Sequence, residues 1–266
     1  MAGRTLPAVL TIAGSDCSGG AGIQADLKTF TALGVYGESC ITAVTAQNTA
    51  CVHAVHPVPA GMVRAQLEAV FTDIVPDAVK IGMLGTAEAI RTVADALRAY
   101  APRYTVLDPV MISTSGTRLL DADASGALMQ ALMPLVTLIT PNLPEAAEMT
   151  GLPVRTRGDM LAAARALSAQ TGAAVLLKGG HLEDGTSDDL LLDGGEPLWL
   201  GAARLQNPNT HGTGCTLSSA VAAYLAQGLP LVEAVRRGKA YITDAIAWGL
   251  DLGAGNGPLC HMARIL

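Results

Sequence analysis

The segment NTHGTGCTLSSA, residues 209–220, joins a glycine-rich turn to a run of small apolar residues that is typical of a helix. Gly212, Thr213 and Gly214 can present successive backbone N–H groups, and a helix that begins near Cys215 adds its positive end. Together these groups would form an anion hole, which suits phosphoryl transfer because spreading negative charge must be neutralised in that reaction. The alternative is a turn that leads into a closely packed helix. Two glycines, a thiol and a polar lead-in together favour the anion hole.

A second glycine-rich stretch, GSDCSGGAGIQAD at residues 14–26, follows an apolar run and opens a helical pattern. Its GAGIQA portion matches the dinucleotide-binding pattern G-x-G-x-x-A, but TAQN stands where that pattern needs an acid. A Walker-type phosphate loop fails as well, since Gly19 is followed by Gly-Ala and not by Lys-Ser or Lys-Thr. The stretch therefore predicts a flexible turn, with Asp26 one helical turn beyond it. Alternatively, Asp26 is a solvated acid in the first turn of the helix.

Carboxylates follow two of the apolar runs. Asp108 ends the run in VLDPV, and Asn142 and Glu145 follow the next run in TPNLPEA. Acids at adjacent strand ends can hold a divalent cation through water, as magnesium prefers. The alternative is helix capping, with Asn142 or Thr140 as the N-cap and Glu145 in the first turn. For Glu145 considered alone, the capping interpretation is favoured.

Two further polar side chains stand at the ends of apolar runs. Gln47 follows TAVTA, and its amide offers both donors and an acceptor to the edge of a heteroaromatic ring. A plain polar loop explains Gln47 equally well. Lys178 ends the run AVLLK before two glycines, where it could reach a nucleotide phosphate as a point charge. An exposed lysine at a strand end is the alternative.

Apolar runs and helical patterns alternate along the chain, which predicts an α/β protein with a doubly wound, mostly parallel sheet and helices on both faces. The site is expected at the carboxyl ends of the strands. A hairpin with Gly194 and Gly195 at its turn is expected within residues 188–205, as a short antiparallel addition. The sequence contains no linker or repeat, so residues 1–266 are expected to form one domain. Strands are predicted at residues 8–14, 40–46, 78–84, 104–110, 136–140 and 174–180, and helices at residues 23–33, 59–74, 87–100, 122–133, 157–170, 215–228 and 231–250.

Composition narrows the class of protein. Half of the residues are hydrophobic, 3% are aromatic and the formal net charge is −6, which disfavours nucleic-acid or anionic-membrane partners. The five cysteines have no C-x-x-C spacing, which disfavours a disulfide scaffold or a structural zinc site and suits a reducing cytosol. No apolar stretch reaches membrane-spanning length, and the N-terminal run is too short for a signal peptide. A soluble cytoplasmic protein is therefore expected.

The motifs taken together resemble a known family. TIAGSDCSGGAGIQADLKTF, TAVTAQNT, VLDPVM, TPNLPEA, LLKGGH and HGTGCTLSSA are similar, in order and spacing, to the bacterial hydroxymethylpyrimidine/phosphomethylpyrimidine kinases of thiamine biosynthesis. This resemblance covers nearly the whole chain and implies a ribokinase-like fold, ATP and Mg²⁺ as cofactors, and a homodimer. It also implies two successive phosphorylations, from 4-amino-5-hydroxymethyl-2-methylpyrimidine to its monophosphate and then to its diphosphate.

The resemblance gives roles to residues at the pyrimidine. The backbone at Gly14 would contact the ring, while Asp26 and Gln47 would read its amino group and nitrogens. Met83 and Val110 would form apolar walls.

The resemblance also gives roles at the phosphates. Asn142 and Glu145 would lie near magnesium and the phosphates, with Asp108 as a second or water-mediated partner of the metal. Lys178 would lie near the nucleotide phosphates, and Gly212–Gly214 would form the anion hole.

Cys215 stands where sugar kinases of the ribokinase superfamily have an acid that serves as general base. A helix N-terminus lowers the pKa of a thiol, so we expect Cys215 to be the base for the hydroxymethyl group in the first step. The second step attacks with a phosphate oxygen that is already ionised near neutral pH, so it needs charge neutralisation more than a base. A small thiol would also repel a bound monophosphate less than a carboxylate would.

Three other functions compete with this interpretation. The nearest is a pyridoxal kinase or a dual-specificity enzyme on the same scaffold, since pyridoxal also carries a hydroxymethyl group. A cysteine hydrolase with Cys215 as nucleophile and His211 as base is disfavoured, because the two residues flank a glycine turn. A ligand-binding protein without catalytic activity is disfavoured, because the sequence keeps Asp26, Gln47 and Lys178 as well as Cys215.

Overall fold

The computed structural model describes residues 5–111, 119–121, 123–180, 182, 187–201, 205 and 207–266. His181 of the LLKGGH motif, residue 122 of a predicted helix and residues 202–204 of the predicted hairpin lie outside this description. The strands are β1 (Ala8–Asp16), β2 (Tyr36–Gln47), β3 (Val52–Pro57), β4 (Ala78–Ile81), β5 (Thr105–Leu107), β6 (Leu138–Ile139), β7 (Ala174–Leu177), β8 (Asp189–Leu192) and β9 (Leu198–Leu200). The helices are α1 (Gly22–Ala32), α2 (Ala60–Phe71), α3 (Ala87–Tyr100), α4 (Ala124–Ala127), α5 (Leu143–Thr150), α6 (Arg157–Thr171), α7 (Thr213–Ala226) and α8 (Leu231–Ala247).

Within the described residues, nine strands form one sheet in the order β3-β2-β1-β4-β5-β6-β7-β8-β9. The strands from β2 to β7 in this order run parallel. At the two edges, β3 pairs antiparallel with β2, and β8 and β9 extend β7 in antiparallel fashion. The predicted doubly wound, mostly parallel sheet is confirmed, and β8 with β9 is the predicted hairpin. The carboxyl ends of the parallel strands therefore meet at one edge of the sheet.

Helices cover both faces of this sheet. α1, α7 and α8 pack on one face, and α2, α3, α5 and α6 pack on the other. Alternate residues of a strand serve the two layers: in β7, Val175 and Leu177 belong to the layer of α6, and Leu176 belongs to the layer of α7. α7 is buried along its whole stretch from Thr216 to Leu225, which explains why its sequence is small and apolar on every side.

The start of the sheet differs from the prediction. β2 spans Tyr36–Gln47 instead of residues 40–46, and the sequence patterns do not predict β3. Every residue of β3 is half-buried or exposed, so this strand lacks the apolar alternation by which strands are recognised. β1 runs two residues past Gly14, which therefore lies inside a strand and not in a turn.

The helix predicted over residues 122–133 is also only partly α-helical. After α4 the chain continues as a π-helix over Leu128–Leu132 and as a 3₁₀ turn over Met133–Leu135. Pro134 has no N–H to donate and its ring crowds the preceding turn, so a regular α-helix cannot run through this point. In contrast, the helix predicted at residues 87–100 coincides with α3.

Candidate functional site

A cavity of about 660 Å³ opens at the carboxyl ends of the parallel strands, and this size suits a small-molecule site. Nearly all of the predicted site residues line it, and Asp26 is the exception. The lining members of the predicted set are Gly14, Gln47, Met83, Asp108, Val110, Asn142, Glu145, Lys178, Gly212, Thr213, Gly214 and Cys215.

The start of α7 forms one wall of the cavity. Gly212 precedes the helix with a φ of 83°, and a Cβ there would lie 1.9 Å from the carbonyl oxygen of Gly20, so this position needs glycine. The N–H of Thr213 is donated within the preceding turn at 3.2 Å, which removes it from the predicted row of donors. Helix geometry leaves the N–H groups of Gly214 and Cys215 without intrahelical partners, so the anion hole centres on these two groups.

Lys178 and Asp108 form an ion pair in the cavity wall. The Nζ atom of Lys178 lies 2.8 Å from Oδ1 of Asp108, and Thr140 donates a hydrogen bond to the same oxygen at 3.2 Å. A Cβ at Gly214 would lie 3.1 Å from Nζ and 3.1 Å from Oδ2 of Asp108, so the start of α7 faces this pair. Burial acts to lower the pKa of Lys178, but the charges of Asp108 and Glu145 outweigh it and raise the pKa. The lysine is a fixed positive charge, and the exposed-lysine alternative is wrong.

Asn142 and Glu145 cap α5. Oδ1 of Asn142 accepts the N–H of Glu145 at 2.9 Å, and Oε2 of Glu145 accepts the N–H of Asn142 at 2.8 Å. This reciprocal capping box confirms the capping interpretation of both residues. Burial raises the pKa of Glu145; Lys178 lowers it and Asp108 raises it further, and the resulting value is about 7. Glu145 therefore exchanges a proton near neutral pH at the cavity wall.

The carboxylates of Asp108 and Glu145 suit a hard cation such as magnesium. The charge of Asp108 raises the pKa of Glu145, so a divalent cation between the two would relieve their repulsion. In the part of the chain that the structure describes, no group of three or more His, Cys, Asp or Glu could enclose a metal ion. A cation here would keep water and phosphate ligands, which is the habit of magnesium at phosphate sites.

The surroundings of Cys215 correct the expectation of a low-pKa thiol. The residue keeps part of its surface in the cavity, yet burial of the thiol raises its pKa to about 11. The positive charge of Lys80 acts in the opposite direction, the carboxylates of Asp26 and Asp108 add to the rise, and an N–H from Gly22 lowers the pKa slightly. The predicted lowering is therefore wrong, because loss of water outweighs the helix N-terminus. Near neutral pH the thiol keeps its proton.

Asp26 is fully buried behind the cavity wall and does not line the cavity. Each of its carboxylate oxygens lies 2.9 Å from Nζ of Lys80, and the carboxylate also accepts hydrogen bonds from Thr11 at 2.6 Å and Ser219 at 2.7 Å. The solvated-acid alternative is wrong. The expected contact between Asp26 and a ring is corrected as well, because the carboxylate is held by these partners away from the cavity. The sequence signal for Lys80 is a lysine inside the apolar run AVKIGML.

The end of the cavity near β1 has an apolar wall and an amide edge. A Cβ at Gly14 would lie 3.2 Å from Sδ of Met83, so a side chain there would crowd the wall. Gln47 ends β2, and its amide nitrogen lies 3.4 Å from Nε2 of His211. Together with Val110, these groups suit a flat heteroaromatic ring.

Asp16 is a carboxylate in the cavity wall that sequence reasoning misses. Its Oδ2 lies 2.9 Å from Nε2 of His211, and its oxygens accept the N–H groups of Ser18 and Ala21, each at 2.8 Å. Burial opposes ionisation of Asp16, but the hydrogen bonds from His211, Ser18 and Ala21 outweigh it and hold the pKa well below its usual range. The signal was an Asp followed within two residues by Ser-Gly-Gly, a turn pattern.

Residues of α8 and of the segment before α7 also line the cavity. There the side chains of Leu205, Ile242 and Ile246 give an apolar surface, and Lys239 forms an ion pair with Asp189 at the wall. No motif in the sequence marks this region. Its chemistry suits a second flat group beside a charged one.

Known proteins resemble this chain over nearly its full length. A family model described as phosphomethylpyrimidine kinase matches residues 16–260. The chain is 54% identical to the hydroxymethylpyrimidine/phosphomethylpyrimidine kinase of Rhizobium meliloti, over 96% of this chain and 97% of that protein. The crystal structure of phosphomethylpyrimidine kinase from Clostridium difficile is similar with a TM-score of 0.81 at 48% identity, covering 90% of this chain and 99% of that one. The ADP complex of Bacillus subtilis pyridoxal kinase is similar with a TM-score of 0.90 at 38% identity, covering 98% and 99% of the two chains.

Proposed function

The chain belongs to the phosphomethylpyrimidine kinase family and is a phosphotransferase with a ribokinase-like fold, and we propose that it uses ATP to phosphorylate 4-amino-5-hydroxymethyl-2-methylpyrimidine twice. The first transfer gives the monophosphate and the second gives the diphosphate, for thiamine diphosphate biosynthesis. The observation that carries this proposal is a single cavity. The start of α7, the Lys178–Asp108 pair and the residues that suit a heteroaromatic ring all line it. Such a site can present a hydroxyl or a phosphate of one ring to the same nucleotide.

At the ring end, the protein binds and orients the pyrimidine. Gln47 offers its amide to the amino group and nitrogens of the ring, and Met83 and Val110 lie against its apolar faces. Gly14 leaves room for the ring because any side chain there would crowd Met83. The apolar surface toward α8 is proposed to hold the adenine base of ATP.

At the phosphoryl end, the protein supplies positive charge and N–H donors. Lys178 is the fixed positive charge, and the N–H groups of Gly214 and Cys215 receive the transferred phosphoryl oxygens. We propose that Asp108 and Glu145 hold Mg²⁺ together with water. When bound, Mg²⁺ neutralises charge on the phosphates of the nucleotide.

We assign Cys215 as the group that accepts the proton of the hydroxyl in the first transfer. The hydroxyl oxygen forms a bond to the γ-phosphorus of ATP, ADP leaves, and the proton moves to the thiolate sulfur. Because the pKa of Cys215 is about 11, the thiolate fraction is small near neutral pH, so the first transfer is limited by it. In the second transfer the attacking phosphate oxygen is already ionised and needs no base.

The proposal is tested by incubating the protein with ATP, Mg²⁺ and hydroxymethylpyrimidine and by following product mass over time. We expect the monophosphate to appear first and the diphosphate to follow, with one ADP formed for each transfer. Absence of any ATP-dependent product would contradict the proposal, and a monophosphate that never advances would contradict its second half.

Pyridoxal is a second candidate acceptor, because a pyridoxal kinase is similar to nearly the whole chain. The free hydroxymethyl group of pyridoxal could meet the same anion hole. Comparing kcat/KM for the two compounds decides between them, and we expect the pyrimidine to have the higher value. The reverse order would make pyridoxal the main acceptor.

The magnesium requirement is expected to depend on pH. With a pKa of about 7, Glu145 is mostly protonated one unit below that pH and mostly ionised one unit above it. The Mg²⁺ concentration for half-maximal activity should therefore rise by about tenfold from pH 8 to pH 6, since protons compete with the cation for the carboxylate. Glu145→Gln keeps the capping box and should remove this dependence. A wild-type requirement that stays constant with pH would argue against Glu145 as a ligand.

We also propose that residues 1–266 form one domain and that the protein is a cytoplasmic homodimer. In the described part of the chain, β3 pairs on one side only, which leaves an edge that a second copy could meet. The five cysteines are free, as suits a reducing compartment, and none of the described helices has the length and apolar character needed to cross a membrane. Light scattering should give twice the chain mass, and cell fractionation checks the location. A mass of one chain would contradict the dimer.

A further inference from the structure

The Asp26–Lys80 ion pair is fully buried and takes no part in the cavity wall. Taking two charges out of water is costly, and apolar residues of similar size often serve stability as well. Here the carboxylate is fully used: both oxygens contact Nζ of Lys80, and Thr11 and Ser219 each donate a hydroxyl to it. A buried polar unit of this kind fixes the relative positions of the elements that it joins, namely β1, β4, α1 and α7.

Gly22 and Asp26 of α1 lie beside Cys215 and Ser219 of α7, and on each helix the two residues are one turn apart. At the start of the helices, the N–H of Gly22 in α1 acts on the thiol of Cys215 in α7 and favours its ionised form. Four residues further along each helix, the hydroxyl of Ser219 donates to Oδ1 of Asp26 at 2.7 Å. Residues four apart lie on the same helix face, so the Ser219–Asp26 hydrogen bond lies one turn behind Cys215.

Two glycines, Gly22 and Gly82, show how tightly the surroundings of the Asp26–Lys80 pair are packed. Gly22 has a φ of 57°, and a Cβ there would lie 2.2 Å from the carbonyl oxygen of Gly14, so the place of its N–H is set by the backbone of β1. A Cβ at Gly82 would lie 2.9 Å from Nζ of Lys80, so that position leaves room for the ammonium group. The place of the Cys215 thiol relative to Gly22 therefore depends on how α7 is held.

We propose that Asp26 and Ser219, with Lys80 holding the carboxylate, are positioning residues that set the place of the Cys215 thiol at the meeting point of α1 and α7. Ser219 carries the link, because it lies on the helix that bears the thiol. Thr11 donates to the same carboxylate from β1 and has no part in α7. The role of the thiol in phosphorylation rests on the function proposed above, whereas the hydrogen bond between Ser219 and Asp26 does not depend on it.

Thr11 and Ser219 provide a matched pair of variants. Ser219→Ala and Thr11→Val each remove one hydroxyl donor from Asp26 and leave Lys80 bound to both oxygens. Both variants keep the charges, so neither leaves a buried ion without its partner. Urea unfolding of each variant gives the stability loss against which the other effects are judged.

Two readouts separate positioning from a general loss of stability. In Ser219→Ala, kcat of the first phosphorylation should fall by about tenfold with KM for both substrates nearly unchanged, because a reacting group is misplaced while the binding surfaces remain. The rate of iodoacetamide labelling of Cys215, followed on its peptide by mass spectrometry, should rise by about fivefold as the start of α7 shifts and the sulfur becomes more accessible. In Thr11→Val both values should stay within about twofold of the wild type.

The labelling experiment does not depend on the proposed chemistry of the thiol. If Cys215→Ala retained full first-step activity, the role of Cys215 as a base would be wrong, and the labelling difference between the two variants would still decide whether Ser219 positions the sulfur. Equal labelling and equal kcat in Ser219→Ala and Thr11→Val would overturn the proposal, as would a wild-type labelling rate in Ser219→Ala.

Discussion

Replacement of Lys178 by glutamine should lower kcat of both phosphorylations by about 10³-fold, because a fixed positive charge that faces the transferred group is lost. Glutamine is shorter and uncharged, so Asp108 loses its positive partner and the free energy of unfolding should fall as well. The loss should be similar for the alcohol and for the monophosphate, since the same phosphoryl group is transferred in both. Steady-state kinetics with the two acceptors as separate substrates measure it.

Lys28→Gln is the matched control for this variant. Lys28 lies on α1, donates to the carbonyl of Gly19 at 2.7 Å and is outside the cavity, so its replacement should change kcat by less than about twofold. Near wild-type kcat in Lys178→Gln, for either acceptor, would show that this lysine does not stabilise the transferred group. Unfolding curves of both variants exclude a trivial loss of structure.

Replacement of Cys215 by alanine should affect the two phosphorylations unequally. We expect the first transfer to fall by about 10²-fold, as is typical when a proton acceptor is removed, and the second by less than about tenfold. The reason is that the hydroxyl must lose a proton whereas the phosphate oxygen has already lost it. Alanine keeps the Cβ and favours a helix, so α7 should still begin at the same place. The ratio of the two kcat values, measured with separate substrates, reports the difference.

The high pKa of Cys215 adds a pH signature to the same prediction. A proton acceptor must be ionised, and with a pKa of about 11 the thiolate fraction rises about tenfold for each pH unit below that value. The rate of the first transfer should therefore climb through the weakly alkaline range in the wild type and lose this climb in Cys215→Ala. The second transfer should show no such climb. Equal losses of rate in both transfers, or the same increase of rate with pH in both, would show that Cys215 does not act as the proton acceptor.

Local sequence patterns predict the part of the cavity wall at the ends of the parallel strands and at the start of α7. Asp108, Asn142 and Lys178 each follow a strand, and parallel strands bring their carboxyl ends together whatever the rest of the chain does. Gly212 and Gly214 indicate places where the backbone lies close to other groups. In the structure, Gly212 lies against the carbonyl of Gly20, and Gly214 lies against the Lys178–Asp108 pair. These features are predictable because each depends on neighbours in the sequence and on one rule of topology.

Other features depend on partners that are distant in the chain. Asp26 looks like a first-turn acid until Lys80 and Ser219, which lie 54 and 193 residues away, are brought against it. The pKa of Cys215 likewise follows from burial and from charges on other elements, and the local helix N-terminus is the weaker influence. β3 is missed for a different reason, since a strand exposed along its length carries no apolar alternation.

One cavity that serves both acceptors is the central feature of the mechanism, and a competition experiment tests it most directly. Isotopically labelled monophosphate is converted to labelled diphosphate at saturating ATP, with unlabelled hydroxymethylpyrimidine added at increasing concentration. A shared site predicts that the alcohol raises the apparent KM for the monophosphate and leaves kcat unchanged. A fall in kcat with constant KM would mean that the two acceptors bind at separate places and would contradict the mechanism.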